Sequence, residues 1–197
     1  MEKILKEEFG SVNLYEKMSL LSESQVNEIY KGIEWTIKNY YSAVIIGGTA
    51  VVYYLTKGRS LTPDIDFLVE DIDDLKSKLF DDSIYFSPIV GDKGSIGVTV
   101  ETFNTDYLDI NAGNAAINKL ILKTYKTVKV GGYAVKMIIP ELLAIMKIEL
   151  GRNKDIEDGL SLITSKTLNK EVYLKLVNGL KKYLKDYESL ISYVDIL

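Results

Sequence analysis

The sequence predicts an α+β fold, in which a small mixed β-sheet with flanking helices is followed by a helical C-terminal lobe. Between residues 41 and 138, short apolar and β-branched runs alternate with turn residues and helix-length segments. After Pro140 the apolar residues recur at helical spacing. We therefore divide the chain into a sheet-containing domain at residues 1–140 and a helical lobe at residues 141–197.

The predicted elements begin with a helix after Ser22, because Ser22 and Gln25 have the spacing of a capping box. Pro140 suits the first turn of a later helix, and Gly131-Gly132 suits a hairpin turn between two strands. The expected strands lie at residues 41–46, 64–69, 85–88, 96–101, 107–110, 127–130 and 134–137. The expected helices lie at residues 22–38, 49–57, 72–79 and 114–120, and from residue 140 onward.

Composition is that of an ordinary globular protein. Of the 197 residues, 47% are hydrophobic and 26% are charged, which is typical of a soluble domain. No apolar run approaches the roughly 18 residues of a membrane span, and the first residues lack the apolar core of a signal peptide. We therefore expect a cytoplasmic protein without a membrane partner.

The chain contains neither cysteine nor histidine. Disulfides, thiolate nucleophiles, histidine bases and histidine or thiolate metal sites are therefore excluded. Any transfer chemistry must use carboxylates, lysine, tyrosine or a metal, which favours metal-dependent phosphoryl transfer. The net charge of −4 gives no overall attraction for nucleic acid. The many lysines after residue 165 suit a solvated helix surface better than an RNA-binding face.

Two carboxylates, Asp64 and Asp66, stand one residue apart at the start of an apolar strand. Residues i and i+2 of a strand project from the same face, so these side chains should point together. Carboxylates held so close repel each other unless a cation lies between them. Mg²⁺ suits such oxygen ligands and keeps positions open for phosphate oxygens. We expect a magnesium site here, with Mn²⁺ as an alternative ion.

A glycine turn, Gly47-Gly48-Thr49, precedes these acids and follows another apolar strand. Glycines let the backbone approach a ligand closely, and the N-terminus of the next helix favours an anion. The turn alone is also compatible with a plain strand–helix connection. Beside two metal-binding acids it predicts a phosphate cradle, in which the Thr49 hydroxyl either caps the helix or meets a phosphate.

The order of these motifs resembles a known superfamily. Gly47-Gly48-Thr49 followed by Asp64-Ile65-Asp66 is similar to the signature of the DNA-polymerase-beta-like nucleotidyltransferases. Within that superfamily the chain most resembles the minimal AbiEii-type enzymes, which are toxins of toxin–antitoxin systems. The resemblance spans roughly residues 42–163. It implies a nucleotidyltransferase-type sheet and transfer of a nucleoside monophosphate from a triphosphate to an acceptor hydroxyl.

The resemblance also implies a third metal-binding carboxylate on a later strand. Asp109 is the best match, because it lies between Leu108 and Ile110, where an unpaired carboxylate would be costly to bury. Glu101 is the runner-up, and Asp106 also competes for this role. We therefore expect Asp64, Asp66 and Asp109 to be both the catalytic and the metal-binding residues.

A lysine on a later helix, Lys147, matches the helical segment that the resembled proteins carry, and it is the expected nucleotide-binding partner of the glycine turn. The alternative is a lysine that packs its stem on the apolar face and exposes its amine. Arg152, Lys154 and Asp155 follow, and an Arg–Asp brace between two helices would be structural.

The expected function is therefore metal-dependent nucleotidyl transfer. The resemblance favours tRNA or protein as acceptor, with a small molecule as a further possibility, and it implies a cognate antitoxin as partner. The alternative is a non-catalytic nucleotide-binding or regulatory module with the same fold. Such a module would lack one of the three metal-binding carboxylates. A metal-dependent phosphohydrolase is disfavoured by the absence of histidine.

Overall fold

The computed structural model describes residues 22–55, 64–89, 97–130 and 132–196. Its strands are β1 to β7, at Val44–Ile46, Ile65–Val69, Ser87–Pro88, Gly97–Val100, Thr105–Asp109, Tyr125–Val130 and Tyr133–Ile138. Its helices are α1 to α8, at Glu23–Asn39, Gly47–Tyr54, Ile72–Asp81, Ala115–Ile121, Pro140–Leu150, Asn153–Ile163, Lys170–Leu180 and Tyr187–Ser192. Short 3₁₀ segments follow β4, α7 and α8, at Glu101–Phe103, Lys181–Tyr183 and Tyr193–Ile196.

The strands form one mixed sheet in the order β3-β4-β5-β2-β1-β7-β6. At its centre β2 pairs in parallel with β5 and antiparallel with β1, and β1 pairs in parallel with β7. The outer pairs, β3 with β4, β4 with β5 and β6 with β7, are antiparallel. The predicted α+β class with a mixed sheet and flanking helices is therefore confirmed.

One face of the central strands packs against α1. The buried Tyr107 ring of β5 stacks on Phe67 of β2, with ring centroids 5.6 Å apart, and Trp35 of α1 meets it edge-on at 6.2 Å. The Tyr107 hydroxyl oxygen lies 2.6 Å from that of Thr36. Because side chains alternate along a strand, the neighbours of Tyr107 point to the opposite face. That opposite face bears the site described below.

The C-terminal helices pack closely on the rest of the molecule. Helix α5 is buried along most of its length and contacts α2, α4, α6 and α7. The Glu141 carboxylate of α5 accepts the Asn169 backbone N–H at 2.7 Å, and the Asn169 side chain caps α7. The buried Tyr173 hydroxyl of α7 donates to the Leu190 carbonyl. Within the ranges that the structure describes, no helix has the length and apolarity that crossing a membrane requires.

The predicted elements are present, with ends that differ by a few residues. The Ser22–Gln25 capping box opens α1, and Pro140 stands in the first turn of α5. Helix α2 begins at Gly47 rather than at residue 49, and β5 begins at Thr105 rather than at residue 107. The end of the helix predicted at 49–57, the loop after it and Gly131 of the predicted hairpin turn lie outside the described residues.

Candidate functional site

Three carboxylates meet at one edge of the central sheet. Asp64 precedes β2, Asp66 lies within it, and Asp106 lies on β5 directly opposite Asp66 in the parallel register. One carboxylate oxygen of each residue lies within 4.8 Å of the others. Both strands begin at this edge, so their first acidic side chains are brought to the same place. Asp64, Asp66 and Asp106 are named the acidic triad from here on.

Burial raises the pKa values of two members of the triad, Asp66 and Asp106. Burial raises the pKa of Asp66 from 3.8 to about 6, and the negative charges of Asp64 and Asp106 add to this effect. A hydrogen bond from the Gly48 backbone N–H and the charge of Lys147 oppose it. Burial likewise raises the pKa of Asp106, against a hydrogen bond from the Thr99 hydroxyl at 2.7 Å. The triad is therefore a cluster of negative charge that a cation would relieve.

The glycine turn lies against the triad. Gly47 has φ of +67°, a conformation that favours glycine. A Cβ at this position would lie 2.6 Å from Cγ of Asp66 and still closer to its Oδ2, so no side chain fits there. The Gly48 N–H bonds the Asp66 carboxylate. The first residues of α2 thus hold Asp66 in place. No side chain of the described residues caps the N-terminus of α2, and this helix end lines the cleft.

Thr49 lies behind the glycine turn rather than in the cleft wall. Its side chain is buried, and its hydroxyl donates to the Asp64 carbonyl at 3.3 Å. This contact joins α2 to the residue that begins the acidic strand. The hydroxyl therefore helps to position Asp64, which is neither of the two roles considered from the sequence.

The structure corrects the prediction that Asp109 is the third member of the acidic cluster. Asp109 pairs with Val69 in the β2–β5 register and lies an odd number of residues from Asp106, so the two point to opposite faces of the sheet. Its side chain is buried and accepts the Asn111 backbone N–H at 2.7 Å, as in an Asx turn after the strand. The runner-up, Glu101, is exposed in the 3₁₀ segment after β4 and is not part of the cluster.

The third acid of the cluster is Asp106, which the sequence offers as a competitor of Asp109. The alternation of buried and half-buried residues along β5 identifies the acid that faces the cleft, whereas the flanking residues do not. In Thr105-Asp106-Tyr107-Leu108-Asp109 the burial alternates, and only Asp106 and Leu108 line the cleft. An acid at the start of a strand parallel to β2 repeats the position of Asp66. Its recognition required the strand direction and register, which are tertiary facts.

A cleft of about 410 Å³ opens above the triad. One wall is formed by the glycine turn and the triad, with Leu68 and Leu108 between them, and the other by α5 and the start of α6. The remaining lining residues are Ile46, Ala112, Gly113, Asn114, Ile117, Asn118, Met146, Lys147, Glu149, Leu150, Arg152, Lys154 and Lys185. The volume lies within the range of small-molecule sites, about 300–1,000 Å³.

Lys147 lines this cleft but is not the exposed lysine considered above. Its side chain is buried, and its ammonium lies 2.7 Å from an Asp155 carboxylate oxygen and 3.3 Å from one of Asp158. Arg152 bonds the other oxygen of Asp155. Burial would raise the pKa of Asp155, but the hydrogen bonds from Arg152 and Lys147 outweigh it and hold that pKa below its ordinary value. This network braces α5 against α6, and its two cationic side chains, Lys147 and Arg152, line the cleft.

The donor set of the triad fits a hard divalent cation. All three side chains offer carboxylate oxygens, which are the ligands that Mg²⁺ and Mn²⁺ take in proteins. Burial and the charges of Asp64 and Asp106 raise the pKa of Asp66, and the charge of Lys147 opposes them only in part. An oxygen cluster of this charge would hold an ion and leave coordination positions toward the cleft.

Solved structures with a similar fold include an antigenic nucleotidyltransferase-like protein from Paracoccidioides brasiliensis. Its TM-score is 0.50 at 19% sequence identity, over 89% of this chain and 94% of that one. The Megavirus polyadenylate synthase aligns with a TM-score of 0.44 at 14% identity, over 91% of this chain and 40% of that one. The first of these likenesses supports the fold, and the second is too distant to support more. No curated protein matches the sequence significantly.

A family model provides the decisive comparison. The model of the family described as "Nucleotidyl transferase of unknown function (DUF2204)" matches residues 26–193. This range contains the glycine turn, the acidic triad and the Lys147 network. The chain therefore belongs to this nucleotidyl transferase family.

Proposed function

We propose that the protein transfers a nucleoside monophosphate from a nucleoside triphosphate to an acceptor hydroxyl. The observation that supports this most directly is the acidic triad beside a helix N-terminus that begins with two glycines. Negative oxygens that attract a cation and backbone N–H groups that attract an anion lie in one cleft. A metal-bound triphosphate satisfies both.

The proposed reaction joins the acceptor to the α-phosphate. The acceptor oxygen attacks the α-phosphorus and forms a new phosphate ester, while the bond from that phosphorus to the oxygen bridging to the β-phosphate breaks. Pyrophosphate leaves, and the hydroxyl proton passes to a triad carboxylate or to solvent. We assign Asp106 as the carboxylate nearest the acceptor, because it comes from the strand farther from the glycine turn.

Asp64, Asp66 and Asp106 would hold Mg²⁺, or Mn²⁺ in its place. When bound, the ion neutralises charge on phosphate oxygens and makes the acceptor hydroxyl more acidic. The chain itself contributes positioning. Gly47 permits the close approach of α2, and Gly48 holds Asp66 through its N–H.

Lys147 is proposed to contact the phosphates. An ammonium has three N–H donors, so its bonds to two α6 carboxylates leave capacity for a phosphate oxygen. Its charge also lowers the pKa of Asp66, which favours the ionised triad. Residues 1–140 and 141–197 are proposed to act as catalytic domain and helical lobe, with the nucleotide between them.

The acceptor is proposed to be a macromolecule, tRNA or protein, rather than a small molecule. The resemblance of the sequence motifs to AbiEii-type toxins supports this choice. It also supports a role as the toxin of a toxin–antitoxin system, with a cognate antitoxin as partner and the cytoplasm as the place of action.

The test is incubation of the protein with each α-labelled nucleoside triphosphate and Mg²⁺, together with total RNA and total cell protein. Label in RNA or in a protein band names both nucleotide and acceptor. Asp106→Asn should reduce transfer by several orders of magnitude, whereas Asp109→Asn should retain it if the variant folds. Equal loss in both variants despite unchanged melting temperatures would contradict the assignment of Asp106.

The non-catalytic alternative has its own outcome. A protein that binds Mg²⁺–nucleotide but labels no acceptor would be a nucleotide-binding module. Binding that is insensitive to Asp66→Asn would remove the triad from the site altogether.

A further inference from the structure

A second cavity adjoins the cleft on its α4 side. It is an open groove of about 1240 Å³ between α4, α7 and the 3₁₀ segment after α7. This volume exceeds that of the cleft and lies above the range of about 300–1,000 Å³ for small-molecule sites. Its size suits an extended chain rather than a metabolite. We name it the lysine groove for the residues that line it.

The charged side chains that line the lysine groove are all positive. Lys119, Lys123, Lys175 and Lys185 line it, and no acidic residue of the described ranges does. All four side chains are exposed, and the structure records no ion pair for the first three among its described residues. The chain as a whole has a net charge of −4, so this local excess is not a consequence of composition. Unpaired lysines along a groove attract a polyanion.

The groove also offers apolar and aromatic surface. Tyr183 is 48% exposed at its rim, and Lys182 lies over the ring with its Nζ 4.8 Å from the centroid. Val172, Leu120 and Leu176 supply apolar lining. Aromatic faces beside lysines are the elements from which grooves for single-stranded nucleic acid are built, because bases stack while phosphates pair with the lysines.

The groove borders the cleft. Gly113, Asn114 and Lys185 line both cavities. Two contacts fix this junction: the Asn114 side-chain amide donates to the Tyr183 carbonyl at 2.7 Å, and the Lys185 ammonium donates to the Glu149 carbonyl at 3.2 Å. A strand lying in the groove would therefore end beside the cleft that contains the acidic triad.

We propose that the lysine groove binds the 3′ end of a single-stranded nucleic acid, whose terminal hydroxyl is the acceptor of the transfer. This inference rests on the proposed function and chooses the acceptor class for it. A nucleic acid supplies phosphates for the lysines, a base for Tyr183 and a hydroxyl for the cleft. An acidic protein would match only the charge.

The test measures binding of a 5′-fluorescein-labelled RNA of about 12 nucleotides by polarisation, without nucleoside triphosphate, between about 50 and 200 mM salt. The variant replaces three groove lysines, Lys119→Gln, Lys123→Gln and Lys175→Gln. Its matched control replaces three exposed lysines that line neither cavity, Lys31→Gln, Lys38→Gln and Lys129→Gln. The two variants have the same net charge, and their melting temperatures check the fold.

We expect the groove variant to bind at least about tenfold more weakly at low salt. Its slope of log affinity against log salt should fall by about 2, since each phosphate contact to a single strand contributes about 0.7. The control should stay within about twofold of the wild type. Tyr183→Ala should weaken binding by at least about fivefold, and Tyr183→Phe should restore it, because stacking needs the ring and not the hydroxyl.

Three results would overturn the inference: no RNA binding by the wild type, equal loss in groove and control variants, or displacement of the RNA by polyglutamate of equal charge. The last would assign the groove to an acidic protein partner. RNA binding that depends on the groove, without label transfer from any triphosphate, would support the groove as a nucleic-acid site while refuting the proposed reaction.

Discussion

Asp66 should make the metal-free protein less stable at neutral pH, so that Asp66→Asn increases the free energy of unfolding. The carboxylate is half-buried beside two other acids, and its pKa is raised to about 6. Asparagine has nearly the same shape, keeps an acceptor oxygen for the Gly48 N–H and carries no charge. The substitution therefore removes repulsion and desolvation without opening a cavity.

The size and sign of this effect follow from the pKa. The folded protein binds a proton at Asp66 more tightly than the unfolded chain does, because the pKa rises from 3.8 to about 6. The stability due to this proton is complete below the unfolded pKa and is lost as the pH rises through the folded pKa. At about 1.4 kcal/mol for each pKa unit, ionisation costs the fold about 3 kcal/mol above pH 7. The variant should therefore gain about 3 kcal/mol there and almost nothing below about pH 4.

Urea denaturation in the presence of a chelator, repeated between about pH 4 and 8, measures this difference. For a chain of 197 residues the gain corresponds to a rise in melting temperature of about 6–12 °C at neutral pH. Asp81→Asn is the matched control, because Asp81 is exposed at the end of α3 and loses the same charge. Its effect should stay within about 0.5 kcal/mol at every pH.

A variant that is equally or less stable than the wild type above pH 7 in chelator would refute the repulsion argument. So would a gain of the same size at every pH, since that would not arise from ionisation. Addition of Mg²⁺ provides a second check, because the ion binds the ionised triad and stabilises only the protein that holds it. Mg²⁺ should therefore stabilise the wild type more than Asp66→Asn.

Two further predictions concern the turn and the buried lysine. Gly47→Ala should abolish Mg²⁺–nucleotide binding measured by calorimetry and cost more stability than Gly151→Ala. Both glycines have positive φ. A Cβ at Gly47 would overlap Asp66, whereas nothing lies within 4 Å of a Cβ at Gly151. Equal losses of stability in the two variants would show that the close approach of Gly47 to Asp66 is not the cause. Lys147→Met should lower the free energy of unfolding by about 3–5 kcal/mol, because it removes the buried ammonium that two buried α6 carboxylates contact. Lys154 is exposed, and Lys154→Met should change the free energy of unfolding by less than about 0.5 kcal/mol. An equally small change for Lys147→Met would mean that the buried ion pairs do not stabilise the fold.

Local sequence patterns were sufficient for most of the fold. The capping box at Ser22 and the proline at residue 140 mark helix starts that depend only on neighbouring residues. The alternation of Asp64 and Asp66 predicts that they point together, because the side-chain period of a strand is two. The glycine turn likewise predicts close backbone approach, and Gly47 with its positive φ shows it. These are properties of a few adjacent residues, so no tertiary contact is needed to infer them.

The partner of these acids was decided by the tertiary structure alone. A strand pattern does not state which strand lies beside it, in which direction or in which register, and a change of one residue reverses every side chain. The parallel pairing of β2 with β5 places Asp106 opposite Asp66 and directs Asp109 to the other face. Flanking apolar residues, the signal that favoured Asp109, report burial but not the face.

The burial of Lys147 and the lysine groove also depend on tertiary contacts. Helical spacing placed Lys147 beside an apolar stripe, but its burial depends on carboxylates of α6 that reach it only when the two helices pack. The groove combines lysines of α4 and α7, more than 50 residues apart in the chain. The sequence by itself determined the elements, the acidic pair and the glycine turn, because each follows from local geometry. The third acid, the buried ion pair and the groove required the packed chain, because contacts between distant segments create them.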